Sequence, residues 1–381
     1  MTLQTRQTMQ LSIPEGMIDL GVGQPSVSLL PLEIIKQAAD HRLKQADPSF
    51  LAYGKESGCG CFRAVLAEFL TDGYQIPVDA DDLFITCGAT NSLDLICTFF
   101  ARPGDTIFVE EPTYFLALRI FQARLLNVVS IPADENGLII EALEEQLTHH
   151  SPAFVYSIPT FHNPSGATLP ADRREKLVRL GEKHQFFIVA DEVYQLLAYT
   201  SSPPPPMMAF DRQGTVLSVS SFTKILAPGL RLGWIQASPK LISRLTQSGL
   251  LASSGGLNPF TSAMVRSVIE LGLLGKHLDF LKNTYTERAR ALSNALHEYL
   301  SDIFQFREPE GGFFIWGHLQ GKIDTEHIRQ QALKHQVHFQ PGHRFSATES
   351  LKNHLRLSFS YYDAEALEEG VRRLKAVITG C

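Results

Sequence analysis

The run Ser220-Ser221-Phe222-Thr223-Lys224 is followed by Pro228-Gly229-Leu230-Arg231-Leu232-Gly233-Trp234. A lysine flanked by hydroxyls, with an arginine seven positions on and glycine-rich turns between, combines an amine nucleophile with donors for a phosphate. A solvated surface lysine has no need of the apolar and hydroxylic neighbours that surround Lys224. Upstream, an apolar run over residues 186–190 ends in Asp191-Glu192-Val193-Tyr194. A carboxylate at the mouth of a buried strand is costly unless a cation accompanies it. The plainer role for Asp191 is to cap the segment that follows, and Glu192 reads as structural.

Further strings begin where other apolar runs end. Tyr156-Ser157-Ile158-Pro159-Thr160-Phe161-His162-Asn163-Pro164-Ser165-Gly166 contains an Asn-Pro turn initiator, which alone explains Pro164 and Gly166. His162 receives no role. Cys87-Gly88-Ala89-Thr90-Asn91 precedes a helical stretch over 92–100, so backbone amides and a hydroxyl gather at a helix N-terminus, a ready anion site. A threonine cap without a ligand accounts for the same letters. Glu110-Glu111-Pro112-Thr113-Tyr114 places an aromatic ring after a turn, where it either packs in the core or stacks on a ligand. Outlying signals are Tyr53-Gly54, Arg356 within His354-Leu355-Arg356-Leu357-Ser358-Phe359, and Gly21-Val22-Gly23-Gln24-Pro25, whose Gly23 suits a close backbone approach. A strand arginine is otherwise an edge or surface residue.

The elements that must position these residues are short runs rich in Val, Ile and Phe at 83–86, 106–109, 153–157, 186–190, 215–219 and 233–236. They alternate with helix-like stretches, as in a parallel sheet covered on both faces. Five of the motifs would then collect along the carboxyl edge of that sheet, where open α/β sheets bind ligands. Long amphipathic stretches follow at 262–274 and 278–300, and the second carries the chain out of the sheet. Strands over 312–316, 337–340 and 354–359 and a closing helix over 364–377 form a smaller unit.

The 381 residues, 44% hydrophobic and 19% charged, are ordinary for a globular protein of more than one domain. A formal charge of -6 without a Lys/Arg run gives no attraction for nucleic acid or anionic lipid. Residues 1–18 lack the pattern of a secretory signal, and no stretch reaches membrane-spanning length. Five scattered cysteines suit a reducing cytoplasm, and the Cys59-Gly60-Cys61 pair, without a second pair or a His cluster, reads as packing and not metal.

Taken together and in this order from Gly21 to Arg356, the motifs resemble those of class I and II aminotransferases, the fold type I enzymes of pyridoxal phosphate (PLP). The resemblance implies an α/β PLP-transferase fold: a large domain with a mostly parallel seven-stranded sheet and a smaller α+β C-terminal domain. The expected division is 1–45 as an N-terminal segment contributing to the small domain and the active-site cover, 46–280 as the large PLP-binding domain, and 281–381 as the small domain. It implies Lys224 as the Schiff-base lysine, Asp191 as partner of the pyridine nitrogen, and Tyr194 and Asn163 as partners of the ring's phenolate oxygen. Tyr114 would stack on the ring. Gly88, Ala89, Thr90, Ser221, Thr223 and Arg231 would hold the phosphate, joined by Tyr53 of a neighbouring subunit in a homodimer with shared sites. Arg356 would grip the substrate carboxylate, with Gly23 and Asn163 beside it. Departures are slight: Thr223 and Ser165 keep hydroxyls where Ser and Thr are common, and Phe62 before Arg63 replaces a frequent Leu.

The implied reaction is ping-pong transamination between an L-amino acid and a 2-oxo acid, with Lys224 as the base. Its amine must be partly neutral near pH 7, which burial beside the cationic Arg231 would favour. Residues 21–33 contain no Lys or Arg, which points to aromatic or other apolar donors, or 2-aminoadipate. A C–S β-lyase or a decarboxylase uses the same cofactor contacts and is the alternative. A ligand-sensing module fused to a winged-helix regulator is less expected, with about twenty residues ahead of Gly21. A dinucleotide-binding oxidoreductase lacks its Gly-x-Gly-x-x-Gly.

Overall fold

The computed structural model describes residues 11–321 and 323–380. The expectation for residues 1–18 therefore lies largely outside the described residues. The first strand, β1 (Ile18–Asp19), belongs to no large sheet; it pairs in parallel with β12 (Val337–His338) and ties the N-terminal segment to the C-terminal part. Between them the chain builds β2 (Leu83–Thr86), β3 (Thr106–Glu111), β4 (Asn127–Asp134), β5 (Gly137–Leu138), β6 (Phe154–Ser157), β7 (Phe187–Asp191), β8 (Val216–Ser221) and β9 (Gly233–Ala237). These form one eight-stranded sheet in the order β2-β9-β8-β7-β6-β3-β4-β5. The expected seven strands are present, with the two-residue β5 as an eighth at the margin.

The centre of the sheet is buried on both faces, which is why its strands read as unbroken apolar runs. Ile107, Val109, Tyr156, Val189 and Val219 face one core with Leu93 and Ile96 of the helix Ala89–Phe100. Phe108, Val155, Ile188 and Ala190 face the other with Leu177 and Val178 of the helix Ala171–His184. Two-residue alternation thus divides each run between two helical layers. Two strands depart from the parallel pattern: β9 runs antiparallel between β2 and β8, and β5 folds back on β4.

A second sheet, all antiparallel, has the order β10 (Phe304–Phe306), β11 (Phe314–Leu319), β14 (His354–Ser358), β13 (Gln340–Pro341). The strand expected over 337–340 is broken at the buried Phe339: its first half pairs with β1, its second with β14. The helix Leu273–Leu300 links the two sheets, so residue 280 lies inside it, and the helix Ala364–Thr379 packs along it. No described helix is long and apolar enough to cross a membrane. Cys59 and Cys61 are exposed free thiols, not packing residues, because Cys59 caps the N-terminus of the helix Gly60–Tyr74.

Candidate active site

The carboxyl ends of β2, β3, β6, β7 and β8 open onto one cavity of about 230 Å³, lined among others by Gly21, Gly23, Ala89, Thr90, Tyr114, Asn163, Asp191, Tyr194, Ser221, Thr223, Lys224, Arg231 and Arg356. Residues spread over most of the sequence are thereby brought together. Gly88 and Tyr53 do not line the cavity: Gly88 adjoins it directly before Ala89, whereas Tyr53 is 88% exposed.

At the end of β2, Gly88 has a φ of +97°, and a Cβ there would come within 3.0 Å of Arg231 Nη2, so only glycine fits without strain. The helix starts at Ala89, three residues earlier than its letters suggest, with Gly88 as its N-cap. The amides of its first turn and the Thr90 hydroxyl therefore have no side-chain cap competing for them, as an anion site requires. Opposite them, Arg231 adopts a left-handed conformation (φ 46°), costly for a residue with a side chain. It is held by the Asn258 side-chain amide, which donates to the Arg231 carbonyl, and its guanidinium donates to Cys87 O at 3.1 Å. Ser221 Oγ accepts the Thr223 amide at 3.0 Å and donates to Thr223 Oγ1, which keeps both hydroxyls at the same rim.

Asp191 ends β7 and is 5% exposed. Burial pushes its carboxyl up to about 6, against the hydrogen bond from Tyr156 and the nearby Lys224. Tyr156 Oη donates to Oδ2 at 2.9 Å, while Oδ1 is buried without any partner. An orphaned carboxylate oxygen inside a cavity is a place for a cationic donor, and a protonated ring nitrogen fits it. Asp191 is not a helix cap, since no helix follows it directly.

Lys224 is half-buried, its Nζ donating to Gly23 O at 2.7 Å and lying 5.3 Å from the Phe313 ring centroid and 5.9 Å from that of Tyr194. Burial lowers its amine to about 8, and the cation that adds to this is Arg356, not the expected Arg231. Tyr194 is buried edge-on against Phe313 and Phe314. Tyr114, on the cavity wall, has its hydroxyl pushed up to about 12, first by burial and then by Asp191, so it stays protonated.

Arg356 is a central, buried strand residue of β14, paired with Trp316 on one side and Gln340 on the other, and not the edge residue that its letters alone allow. Its Nη1 donates to Asn163 Oδ1 at 2.8 Å and its Nη2 to Gly21 O at 2.7 Å, while the guanidinium lies 3.9 Å from the Phe314 ring centroid. Burial lowers it to about 10, so it remains a cation at neutral pH. A Cβ on Gly23 would meet Phe314 Cζ at 2.9 Å, so glycine lets the N-terminal segment lie against this wall.

Three residues not singled out for the site support it. Tyr156 holds Asp191; nothing in one sequence sets the register that brings β6 beside β7. Glu110, 1% exposed, accepts from the Ile158 amide at 2.9 Å and Ser157 Oγ at 3.1 Å. His162 faces it, Nε2 lying 3.1 Å from Oε2 without hydrogen-bonding geometry, while Nδ1 accepts from the Ser165 amide at 3.3 Å. Glu192 is structural as expected: it accepts from Met207 N at 2.9 Å and Ser218 Oγ, near the buried Arg174.

Aminotransferase class I and II is the family whose model matches residues 15–374. The chain is 36% identical to the aromatic-amino-acid aminotransferase 1 of Thermococcus litoralis, over 98% of its own length and 91% of the relative's. It is 30% identical to the 2-aminoadipate transaminase of Thermus thermophilus, over 98% and 93%. Among solved structures, the kynurenine aminotransferase of Pyrococcus horikoshii, in complex with PMP, superposes with a TM-score of 0.90 at 33% identity, covering 96% of this chain and 92% of that one. With the family model spanning the fold and with a cavity that fits its cofactor, the chain belongs to the class I and II aminotransferases and is a pyridoxal-phosphate enzyme.

Proposed function

We propose that this aminotransferase moves the amino group of an L-amino acid with an aromatic, apolar or 2-aminoadipate-like side chain to a 2-oxo acid by a ping-pong cycle. The observation that carries the assignment of residues is the buried, unpartnered Oδ1 of Asp191 in the same cavity as a lysine whose amine is lowered to about 8. Pyridoxal phosphate supplies an aldehyde that takes up an amine and a ring that withdraws electrons from the substrate Cα. Lys224 would hold the aldehyde through its Nζ, and the same amine, partly neutral, would serve as the base for the substrate's Cα proton. Asp191 keeps the ring nitrogen protonated. The Ala89 turn, Thr90, Ser221, Thr223 and Arg231 would hold the phosphate, Tyr194 and the Asn163 amide nitrogen would serve the ring oxygen, and Arg356 would receive the substrate's α-carboxylate as a planar fork.

Substrate preference follows from what remains. Lys224, Arg231 and Arg356 are the cations of the cavity, each with a task, and the rest of the wall includes Leu93, Phe115, Leu116, Ile158, Val193 and Phe314. That wall favours aromatic and apolar donors, in keeping with the names of the Thermococcus and Pyrococcus relatives; the Thermus relative supports 2-aminoadipate. A homodimer is part of the proposal: Tyr53, Leu51, Leu250 and Phe260 are all exposed around the Gly54–Gly256 bridge, an apolar patch of the kind a partner covers. So is a cytoplasmic location, which the free Cys59, Cys61, Cys87 and Cys97 support.

The test is an absorbance spectrum of the purified protein before and after borohydride, then turnover of a donor panel with 2-oxoglutarate. Phenylalanine, leucine and 2-aminoadipate are expected to react. Strong preference for aspartate overturns the substrate reading, and pyruvate with ammonia from a cysteine conjugate, without transamination, overturns the reaction. Light scattering should give twice the chain mass; a monomer with full activity removes Tyr53 from the site.

A further inference from the structure

The last two residues of β3 point to opposite ends of the molecule's architecture. Glu110 turns into the large-sheet core, whereas the Glu111 carboxylate reaches the C-terminal part. Its Oε1 accepts from Ser350 Oγ at 2.9 Å, Thr348 Oγ1 at 3.3 Å and Ser346 Oγ; its Oε2 accepts from Ala347 N at 3.1 Å and Ser130 Oγ at 3.0 Å. Four of these five donors belong to the segment 346–350. A carboxylate offers about four lone-pair sites, so the group is fully engaged in this one task.

The segment begins directly after Phe345. The Thr113 amide donates to Phe345 O at 2.8 Å, so backbone and side chain of the same turn seize the same stretch. The Phe345 ring in turn lies 5.0 Å from the Arg356 guanidinium carbon, edge-on to Phe115 at 5.2 Å and to Trp316 at 5.5 Å. Beside the clasp the two parts are not packed together: a cavity of about 470 Å³ separates them, with Glu111, Ser165, Trp316 and His354 on its walls. Along this edge, the hydrogen bonds of Glu111 and Thr113 join the edge-on Phe115–Phe345 contact in setting how the four-stranded sheet sits over the large one.

We propose that Glu111 is a positioning residue: its carboxylate clasps segment 346–350 across the cleft and so holds Phe345 against Arg356 in the arrangement that receives the substrate's α-carboxylate. This role rests on the assignment of Arg356 under the proposed function. Because the clasp acts through Arg356, it should matter for substrates that carry a carboxylate and not for amines that lack one.

The experiment is the half-reaction of the holoenzyme with phenylalanine and with phenethylamine, followed by loss of imine absorbance, in wild type, Glu111→Gln and Ser350→Ala. In Glu111→Gln an amide nitrogen replaces one acceptor and faces donors, so the phenylalanine concentration for half-maximal rate should rise roughly tenfold to a hundredfold, the scale on which small misplacements act. The maximal rate, the imine absorbance and the slow phenethylamine reaction should stay within about threefold of wild type. Ser350→Ala, which removes one exposed donor and leaves the fold alone, should shift the same constant about threefold, and it decides the matter if Glu111→Gln does not fold. Unchanged phenylalanine binding in both variants, or equal weakening for phenethylamine, overturns the clasp. Absence of imine absorbance in the wild type instead overturns the proposed function, and this role with it.

Discussion

On the large-sheet side of the cavity, Asp191 and Ser221 are the last residues of β7 and β8, and their places follow from the ladders of those strands. On the other side, Arg356 is placed by Asn163 and Gly21, which lie 193 and 335 positions away, and by the Phe314 and Phe345 rings. One wall is therefore built within a single sheet, and the other depends on how two parts of the molecule meet. Damage to the first should disturb cofactor chemistry for every substrate; damage to the second should disturb recognition of the carboxylate.

The largest test of the first wall is Lys224→Ala. Removing both the imine and the base should lower transamination about 10⁴-fold or more, and borohydride should no longer fix the cofactor to the chain. A reducible imine in this variant would remove the site assignment altogether. Asp191→Ala and Arg356→Ala sharpen the contrast, each breaking a buried charged arrangement worth about 3–5 kcal/mol, or roughly 10²–10⁴-fold. Asp191→Ala should express that loss in kcat for all donors together with an altered cofactor spectrum. Arg356→Ala should express it in KM for amino acids and 2-oxo acids, with the spectrum kept. If both variants lost kcat alike, the two walls would be one unit.

Protonation separates the walls again. In the protein without PLP, the Asp191 carboxyl is raised from its ordinary 3.8 to about 6, so the folded state binds more protons than the unfolded one across that window and stability falls as pH rises through it. Lys224 is lowered from 10.5 to about 8, so its contribution is lost as pH falls from 10.5 to 8. Between about 6 and 8 both penalties act, and the carboxyl's alone amounts to about 3 kcal/mol at most. PLP bound as proposed would relieve both, by giving the carboxylate a cation and the amine an aldehyde. The rise in Tm on adding PLP should thus be larger at pH 7 than at pH 5, and Asp191→Asn should flatten that difference. An equal rise at the two pH values would mean that Asp191 does not meet the ring.

The same contrast explains what was legible in the sequence. Strands buried on both faces leave apolar runs that stop abruptly, so Asp191, Asn163, Ser221 and Lys224 stand out at or just beyond their ends. The elements at the margins do not announce themselves: β4 is half exposed and carries Pro132, and β5 is two residues long. The reversed direction of β9 leaves no trace in its letters, because a strand buried in either sense is equally apolar. The place of Gln340 in the four-stranded sheet, apart from Val337, depends on β1 arriving from the other end of the chain. Arg356 was legible only through its motif, and the partners that make its wall, like the donors that Glu111 gathers, are long-range contacts that no local pattern encodes.

Tyr156 offers the smallest and most discriminating test, because it touches one wall only. Its hydroxyl donates to Asp191 Oδ2, and among the described residues no hydrogen bond or ring contact joins it to Arg356, Phe314 or Phe345. Tyr156→Phe keeps the ring that packs edge-on against Phe121 and removes the donor alone. Hydrogen bonds to charged groups contribute about 1.5–3 kcal/mol, so removing this one should lower kcat about tenfold. The carboxyl should rise further above 6, since the hydrogen bond that opposes burial is gone, and cofactor absorbance should shift with pH accordingly. KM for phenylalanine should not move. A change in KM with kcat preserved would show that the ladder of β6 and β7 also sets the carboxylate fork, and the division between a wall held by one sheet and a wall held by two would fail.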